Sequence, residues 1–359
     1  MFLFILKFSI TNIVFSVIIC SLLTRFNKSG KYSNSELLLY SLGLGPVFTA
    51  LLLYYSFLIF PHRSNMFYLM FIAASYFLIA IIGRKSFKFI FCVLKNNIKN
   101  IFTLKGTAFS KIEHLALLSI IFIPLAVLLF FYLTKILPQP LIVWDALTYG
   151  MQGRVLFEAK SLAPIWGIQH AISGFSIITS APPSFSLMLT WEELVNFLFQ
   201  EKSDLYFKSI NTYYGLLILS VVYYWVAKQN KWAAVLSVIA LLSGLSFFIS
   251  LFQPHLDLYR IFFFCISFVW LAYAVKEKDY LSLLMFGIFS GFTAFSHRIG
   301  VVMAVINCFV FFITIESNFK IRVLKTSIIV LLIIAFGGDH YIFDLIWGQG
   351  NWINPLKYK

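Results

Sequence analysis

The sequence predicts an all-α polytopic membrane protein with about ten transmembrane helices and one long structured loop on the outer side. Of its 359 residues, 60% are hydrophobic and only 12% are charged, whereas soluble domains carry about 25% charged residues. Because a charge at the bilayer centre costs roughly 2.5–3.5 kcal/mol, a chain that spans repeatedly must exclude charge. Apolar segments of spanning length are predicted at 2–24, 36–60, 66–83, 114–134, 209–227, 233–252, 261–275, 280–296, 299–315 and 326–343.

Lysines and arginines predict which loops face the cytosol, because cytoplasmic loops retain them. The odd-numbered loops hold most of these residues, including a run between 84 and 111. The short even-numbered loops hold only Arg63, Arg260 and Arg298. The odd loops are therefore predicted to lie inside and both termini outside. The net charge of +14 is explained by lysines that flank the spans and face membrane lipids. It does not indicate nucleic-acid binding, because no basic face or stacking motif accompanies it.

These features divide the chain into N-terminal transmembrane helices over 1–134, an extracytoplasmic loop over 135–208, and C-terminal transmembrane helices over 209–359. The loop is too apolar to be a disordered linker. Within it, Thr190 and Glu193 form a capping-box pair that predicts the start of a helix. The apolar residues that follow repeat at helical spacing, so this juxtamembrane helix is expected to lie in the membrane interface.

Ionisable residues gather on the predicted outer side, where residues near transmembrane helix ends are functional candidates. Each also has an ordinary structural explanation: Asp145 could cap its own helix, and Asp257 and Arg260 could simply pair. For the set of Asp145, Asp257 and Arg298 a functional explanation is favoured. The full group of candidates on this side is Asp145, His255, Asp257, Arg260, His297, Arg298, Asp339 and His340.

The order Trp144-Asp145-Ala146-Leu147-Thr148-Tyr149 at the start of the long outer loop resembles the first-loop acidic motif of the GT-C membrane glycosyltransferases. The branch that it resembles includes the bacterial aminoarabinose transferases and the protein mannosyltransferases. Further short motifs resemble the family in the same order along the chain, over about 130–350. They are Pro182-Pro183, Asp204 to Lys208, His255-Leu256-Asp257, the glycine-spaced helix Gly287, Gly291, His297, Arg298 and Gly300, and Gly337-Gly338-Asp339-His340-Tyr341.

The resemblance implies an enzyme, a multi-pass protein of the bacterial inner (plasma) membrane and cell envelope, which moves a sugar from a polyprenyl-phosphate donor to an acceptor on the outer side. Asp145 and Asp257 are then the catalytic candidates: Asp145 would deprotonate the acceptor hydroxyl, and Asp257 would orient the acceptor or help to hold a divalent metal ion. Arg298, and next Arg260, would stabilise the phosphate leaving group. The substrate-binding candidates are Tyr149, Arg154, His255, Arg260, His297, Arg298 and His340.

The sequence leaves the metal ligands unknown, and names His255 and His340 only as candidates, because no spacing is diagnostic. The expected partners are a polyprenyl-phosphate-linked sugar donor, membrane lipids and an acceptor that is a lipid, a polysaccharide or a protein. Three alternatives stay open, and one of them is a structural or sensor protein, which nothing in the sequence excludes. A transporter or flippase of lipid-linked sugars would show charged or broken helices at mid-membrane. The sequence shows neither, apart from Lys7 and Glu316, which lie near span ends. An O-antigen-type polymerase would carry several arginines in its loop, where only Arg154 is present.

Overall fold

The computed structural model describes residues 2–27, 30–102, 134, 144–165, 182–200, 202–253, 256–315 and 317–347. Within this part of the chain the protein is helical and has no strand. Two π-helical segments, Ser9–Val14 and Ile334–Gly338, join helices end to end. The helices are α1 (Phe2–Phe8), α2 (Phe15–Phe26), α3 (Asn34–Ile59), α4 (Asn65–Phe102), α5 (Trp144–Ala159), α6 (Ser184–Phe199), α7 (Leu205–Ala227), α8 (Lys231–Ser243), α9 (Leu245–Phe252), α10 (Asp257–Glu277), α11 (Tyr280–Ser296), α12 (Arg298–Thr314), α13 (Phe319–Ile333) and α14 (Asp339–Trp347).

The all-helical multi-pass class is confirmed, but the predicted count of about ten spans is not. Among the described residues, six helices are long and apolar enough to cross a membrane, or seven if the bent pair α8–α9 is one span. The helices α11 and α12 have 17 residues each, which is about 25 Å of helix and less than the ~30 Å hydrocarbon core. The predicted span 114–134 lies outside the described residues, except for its last residue.

Two of the predicted spans are interrupted, which corrects the expectation that no helix is broken. The pair α8 and α9 bends by 79° at Gly244, where the backbone is extended. The last span changes direction at Gly337, whose φ is +121°. Glycine adopts this backbone region without steric cost, and it marks bends that apolar periodicity alone does not reveal.

The central helix α3 contains Pro46, and tyrosines from another helix donate hydrogen bonds to the backbone around it. Proline has no N–H group, so the carbonyl of Leu42 loses its helical donor. The hydroxyl of Tyr213 donates to that carbonyl instead, at 2.8 Å. The neighbouring hydroxyl of Tyr214 donates to the Gly43 carbonyl at 2.7 Å. The packing of α7 on α3 therefore replaces the hydrogen bond that the proline removes and adds a second one in the same turn.

The odd-numbered connections meet at one end of the bundle, here called the basic end. The hydroxyl of Tyr32 donates to Asp279 at 3.1 Å, which joins the first connection to the turn between α10 and α11. The ammonium group of Lys228 lies 3.3 Å from the Glu36 carboxylate, which joins the end of α7 to the start of α3. Glu36 also accepts a hydrogen bond from the hydroxyl of Tyr273 at 2.8 Å. The predicted grouping of these connections on one side agrees with these contacts.

The even-numbered connections meet at the other end, here called the site end. The backbone N–H of His62, between α3 and α4, donates to the Lys160 carbonyl after α5 at 2.9 Å. Near the end of α3, the ring of Tyr54 packs on Phe295 with 5.5 Å between ring centroids. Phe295 lies two residues before His297, in the last turn of α11. The long outer loop and the polar turns therefore share one end.

The predicted interfacial helix starts earlier and lies deeper than expected. The helix α6 begins at Ser184, so the capping box predicted at Thr190 and Glu193 is wrong. The hydroxyl of Thr190 instead donates to the Gly153 carbonyl of α5 at 2.9 Å. The residues from Ser184 to Glu192 are buried, because this half of α6 packs between α3, α5 and α7. Only the last residues of α6 are exposed.

Candidate functional site

A charged cluster forms at the site end, where α10 begins and α11 turns into α12. Nη2 of Arg260 lies 2.6 Å from Oδ1 of Asp257 in an ion pair. Nη1 of the same guanidinium lies 3.2 Å from Nε2 of His297. The side chains of Arg260 and Asp257 are 32% and 28% exposed. The structure thus brings three predicted site residues together, and two fixed partners orient the guanidinium.

The start of α10 is held in place from α7 by one amide side chain. Oδ1 of Asn211 accepts hydrogen bonds from the backbone N–H groups of Leu258 at 2.9 Å and Tyr259 at 3.3 Å. These are among the first N–H groups of α10, which have no partner inside their own helix. Nδ2 of Asn211 donates to the carbonyls of Ser250 and Gln253 at 2.6 and 3.1 Å. Asn211 therefore sets the position of the turn that presents Asp257 and Arg260.

The position of Asn211 also gives the depth of the site. Asn211 lies six residues after Leu205, the first residue of α7, which is about 9 Å along the helix axis. The start of α10 therefore lies level with a point about 9 Å along α7 from its first residue.

His297 occupies the turn between α11 and α12 with an extended backbone. Burial and then the charges of Arg260 and Arg298 lower its pKa from 6.5 to about 4, against the opposing effect of Asp257. The imidazole is therefore neutral at pH 7. A neutral imidazole can accept a hydrogen bond at only one nitrogen. The contact with Arg260 uses the tautomer with a free Nε2, whereas the hydrogen bond that Nδ1 accepts from the backbone N–H of Ile299, also at 3.2 Å, uses the tautomer with a free Nδ1.

The polar residues that follow the bend at Gly337 join the same region. A Cβ at Gly337 would overlap the side chain of Phe295, so the bend packs directly against the end of α11. The hydroxyl of Tyr55 donates to the Ala335 carbonyl at 2.8 Å, just before the bend. The hydroxyl of Tyr341 bridges the carbonyls of Ala294 and His297, at 2.8 and 3.0 Å. These contacts fix α14 beneath the His297 turn.

Asp339 and His340, at the start of α14, are buried. The imidazole of His340 packs edge-on against the ring of Tyr54, with 6.2 Å between centroids. Arg298 is close enough to His340 to interact with it electrostatically. The hydroxyl groups of Tyr55 and Tyr54 lie within hydrogen-bonding reach of the Asp339 carboxyl. Residues from α3, α10, the His297 turn and α14 therefore form one polar region.

The remaining candidates lie on or beside α5. The ring of Tyr149 contacts the ring of Phe185 at 5.8 Å between centroids, and Phe185 lies 5.7 Å from the ring of Tyr259 in α10. Arg154 does not join the cluster: its side chain is 68% exposed, with Nε 3.6 Å from Glu193 of α6. Asp145 lies in the first turn of α5, four residues before Tyr149. The side chain of Asp145 and all of His255 lie outside the described residues.

The described residues do not form a metal centre. Among them, no group of three or more His, Cys, Asp or Glu side chains is placed to hold a metal ion. The Asp257 carboxylate, which the sequence named as a candidate for holding a divalent ion, is instead paired with a guanidinium.

Sequence reasoning missed a second polar network, which surrounds Lys7 and is fully buried. Nζ of Lys7 donates to the Glu192 carboxylate at 2.7 Å and to Oδ1 of Asn196 at 2.8 Å. The same carboxylate accepts the backbone N–H groups of Tyr206 and Phe207 at 3.0 and 2.8 Å, at the start of α7. The sequence signal for this network was Lys7 inside an apolar span, because a charged side chain in a membrane span needs a polar partner within the protein.

The fold and the site define this chain as a multi-pass membrane protein, helical throughout its described residues, with a polar cluster at one end of its bundle. Comparison with protein-family models, with curated proteins and with solved structures gives no match.

Proposed function

We propose that this protein is a membrane glycosyltransferase that moves a sugar from a polyprenyl-phosphate donor to an acceptor on the non-cytoplasmic side. The observation that carries the proposal is the partly buried guanidinium of Arg260, which Asp257 and His297 hold from two sides. The resemblance of the Trp144–Tyr149 motif to GT-C transferases supports the same class. The site end faces outward if the lysine-rich basic end is cytoplasmic.

The charges of the site suit an anionic leaving group. During transfer, the bond between the anomeric carbon and the phosphate oxygen breaks, and its electron pair leaves with the phosphate. A guanidinium binds phosphate oxygens bidentately and does not lose its proton. Arg260 is already oriented, and Arg298 lies in the same turn as His297. The developing negative charge is therefore met by cations at the end of the bundle.

The acceptor contributes the other half of the reaction. Its hydroxyl oxygen forms the new bond to the anomeric carbon, and its proton passes to a base. Asp145 is the proposed base, because it lies in the helix that carries Tyr149, which is linked through Phe185 to Tyr259 of α10. Asp257 is proposed to position Arg260. A metal ion has no assigned role in this scheme.

The proposal is tested with purified protein in lipid nanodiscs, radiolabelled polyprenyl-phosphate sugars and a panel of lipid, polysaccharide and protein acceptors. We expect transfer by the wild type, and a loss of about 100-fold or more in Arg260→Gln, because one stabilising donor at a developing charge is worth about that much. Asp145→Asn is expected to lose transfer and to keep donor binding. The control Arg322→Gln removes an arginine whose Nε contacts the Ser317 carbonyl at 2.9 Å, away from the site. Full transfer by Arg260→Gln or Asp145→Asn would refute the assigned roles.

A transporter or flippase of lipid-linked sugars is the second candidate, and one observation favours it. The 79° break between α8 and α9 is the kind of discontinuous helix that transporters use at their binding sites. Proteoliposomes with fluorescent polyprenyl-phosphate sugars in one leaflet separate the two functions. Movement of label between the leaflets without sugar transfer would replace the first proposal with the second.

A further inference from the structure

The first turns of α6 lie between the two helices that carry the proposed reacting groups. The ring of Phe185 contacts the ring of Tyr149 in α5, with 5.8 Å between centroids. It also contacts the ring of Tyr259 in α10, at 5.7 Å. Tyr149 follows Asp145 by one helical turn, and Tyr259 is the neighbour of Arg260 in the sequence. Because Phe185 is buried, its ring fills the space between α5 and α10 at this level.

The helix α5 approaches α6 closely and is bonded to it through buried side chains. A Cβ at Gly153 of α5 would lie 2.5 Å from the Ser186 carbonyl oxygen and 2.9 Å from Cβ of Leu189, whereas ordinary contact begins at 3.4 Å. The hydroxyl of Ser186 donates to Oε1 of Gln152 at 2.6 Å. The hydroxyl of Thr190 donates to the Gly153 carbonyl at 2.9 Å. A glycine contact and two hydrogen bonds therefore fix the position of α5 on α6.

The helix α6 is itself held by the N-terminal part of the chain. Nε1 of Trp191 donates to Oγ1 of Thr11, in the π-helical segment after α1, at 2.9 Å. The next residue, Glu192, accepts a hydrogen bond from the ammonium group of Lys7 at 2.7 Å. These contacts do not involve α5. A change at the interface between α5 and α6 is therefore expected to move α5 while α6 stays in place.

We propose that residues 184–190 of α6, here called the α6 spacer, set the separation between Asp145 and Arg260, and that Phe185 and Thr190 are positioning residues for sugar transfer. This inference rests on the proposed function, in which Asp145 takes the acceptor proton and Arg260 binds the phosphate. Both groups act on bonds to the same anomeric carbon, so their separation must match the substrate. A misplacement of about 1 Å can reduce a rate by about 100-fold.

Gly153→Val tests the spacer directly, because the added side chain would push α5 away from α6. Spin labels on Leu147→Cys of α5 and Ile261→Cys of α10, which are 40% and 39% exposed, report the separation of the two helices. Double electron–electron resonance in nanodiscs, in a background without the native cysteines, should give a mean distance longer by about 1 Å or more. The matched control Gly83→Val would crowd Ser21 of α2 and should leave this distance unchanged.

The kinetic measurement separates the rate of transfer from donor binding. In Gly153→Val, kcat should fall by about 10- to 100-fold, because the proposed base is displaced. The Kd for bare polyprenyl phosphate should not change, because Arg260 keeps its contacts with Asp257 and His297. Gly83→Val should keep both constants. A residue with only a structural role would lower the fraction of folded protein and the melting temperature, and would not separate kcat from Kd.

Thr190→Val is a second, milder variant, because it removes the hydrogen bond to the Gly153 carbonyl without adding bulk. Its kcat should fall by about 3- to 10-fold, which corresponds to one lost hydrogen bond in the docked position of α5. Thr190→Ser should restore the rate, because serine keeps the hydroxyl donor. Both variants should bind bare polyprenyl phosphate as the wild type does.

These outcomes separate failure of the spacer from failure of the proposed function. An unchanged distance between α5 and α10 in Gly153→Val, or a longer distance with an unchanged kcat, would overturn the spacer, while transfer by the wild type keeps the function. If the wild type transfers no sugar, the function is overturned, and the spacer stands or falls with the measured distance alone. If Gly153→Val does not fold, equal kcat values for the wild type, Thr190→Val and Thr190→Ser would overturn the spacer.

Discussion

His297 illustrates how single residues at this site depend on their neighbours. Burial, Arg260 and Arg298 lower its pKa to about 4 in the folded protein, from 6.5 in the unfolded chain. Between these two values the unfolded chain binds more protons than the folded protein, so the free energy of unfolding decreases as the pH falls from about 6.5 to about 4. The contribution of His297 to stability is therefore complete above pH 6.5 and is lost through this window.

We predict that His297→Gln reduces the acid sensitivity of the protein, because glutamine keeps a hydrogen-bond acceptor for Arg260 but does not titrate. The melting temperature of the wild type should fall more steeply than that of the variant between about pH 6.5 and pH 4. Thermal unfolding in detergent at several pH values measures both slopes. Parallel slopes would show that the folded protein does not suppress protonation of His297.

Gly337 is the second residue whose identity the structure explains. Its φ is +121°, and a Cβ would overlap Phe295. Gly337→Ala is predicted to lower stability by about 1–3 kcal/mol, because the variant must adopt a strained backbone and displace an aromatic side chain. Gly244→Ala is the matched control, because Gly244 has a φ of −66° and bends a different span. Equal melting temperatures for the two variants would contradict this account of the bend.

At the scale of elements, the network around Lys7 connects three helices that lie far apart in sequence. Lys7 of α1 binds Glu192 and Asn196 of α6, and Glu192 caps the start of α7. Burial raises the pKa of the Glu192 carboxyl to about 7, although Lys7 and the two backbone N–H groups favour its charged form. The outer-loop helix α6 is thereby attached to the first and fifth predicted spans.

Removing one partner of this pair should be costly. We predict that Lys7→Met lowers the free energy of unfolding by about 3–5 kcal/mol, because it leaves an uncompensated buried carboxylate. The double variant Lys7→Met/Glu192→Gln should recover part of this loss. Lys31→Met is the control, since its pair with Glu277 is 40% and 26% exposed and should contribute about 0–1 kcal/mol. Denaturation in mixed detergent micelles measures all three. A double variant no more stable than Lys7→Met would contradict the pairing.

The sequence predicted the described helices more successfully than the contacts between them. Apolar length and periodicity located the spans, and the segment 261–275 that was predicted as the seventh span is the middle of α10, Asp257–Glu277. Thr190 and Glu193 gave a false helix start, because a local capping pattern competed with a longer helix that begins at Ser184. The Lys7 network was missed because it joins residues 185 positions apart, and local periodicity carries no information about such pairs.

At the scale of the whole molecule, part of the site could be predicted because the transmembrane topology alone determines which loops lie at the same end of the bundle. Alternating loops must lie at opposite ends of a bundle, so Arg260, His297 and His340 were expected on one side, and the structure places them at the site end. The sequence did not indicate Tyr54 or Asn211, because both lie inside apolar helices and reach the site only through packing. The short helices α11 and α12 and the bend at Gly337 were also not foreseen.

The orientation of these two ends in the membrane is the last prediction. The basic end should face the cytosol, because loops rich in lysine and arginine resist translocation. The labelling experiment uses single cysteines in a background lacking Cys20, Cys92, Cys265 and Cys308. Tyr280, which is 93% exposed at the basic end, should react with a membrane-impermeant maleimide only after the cells are opened. Phe199, which is 50% exposed at the end of α6, should react in intact cells. The reverse pattern would place the site end in the cytosol, where an enzyme with the proposed reaction could not reach a donor in the outer leaflet.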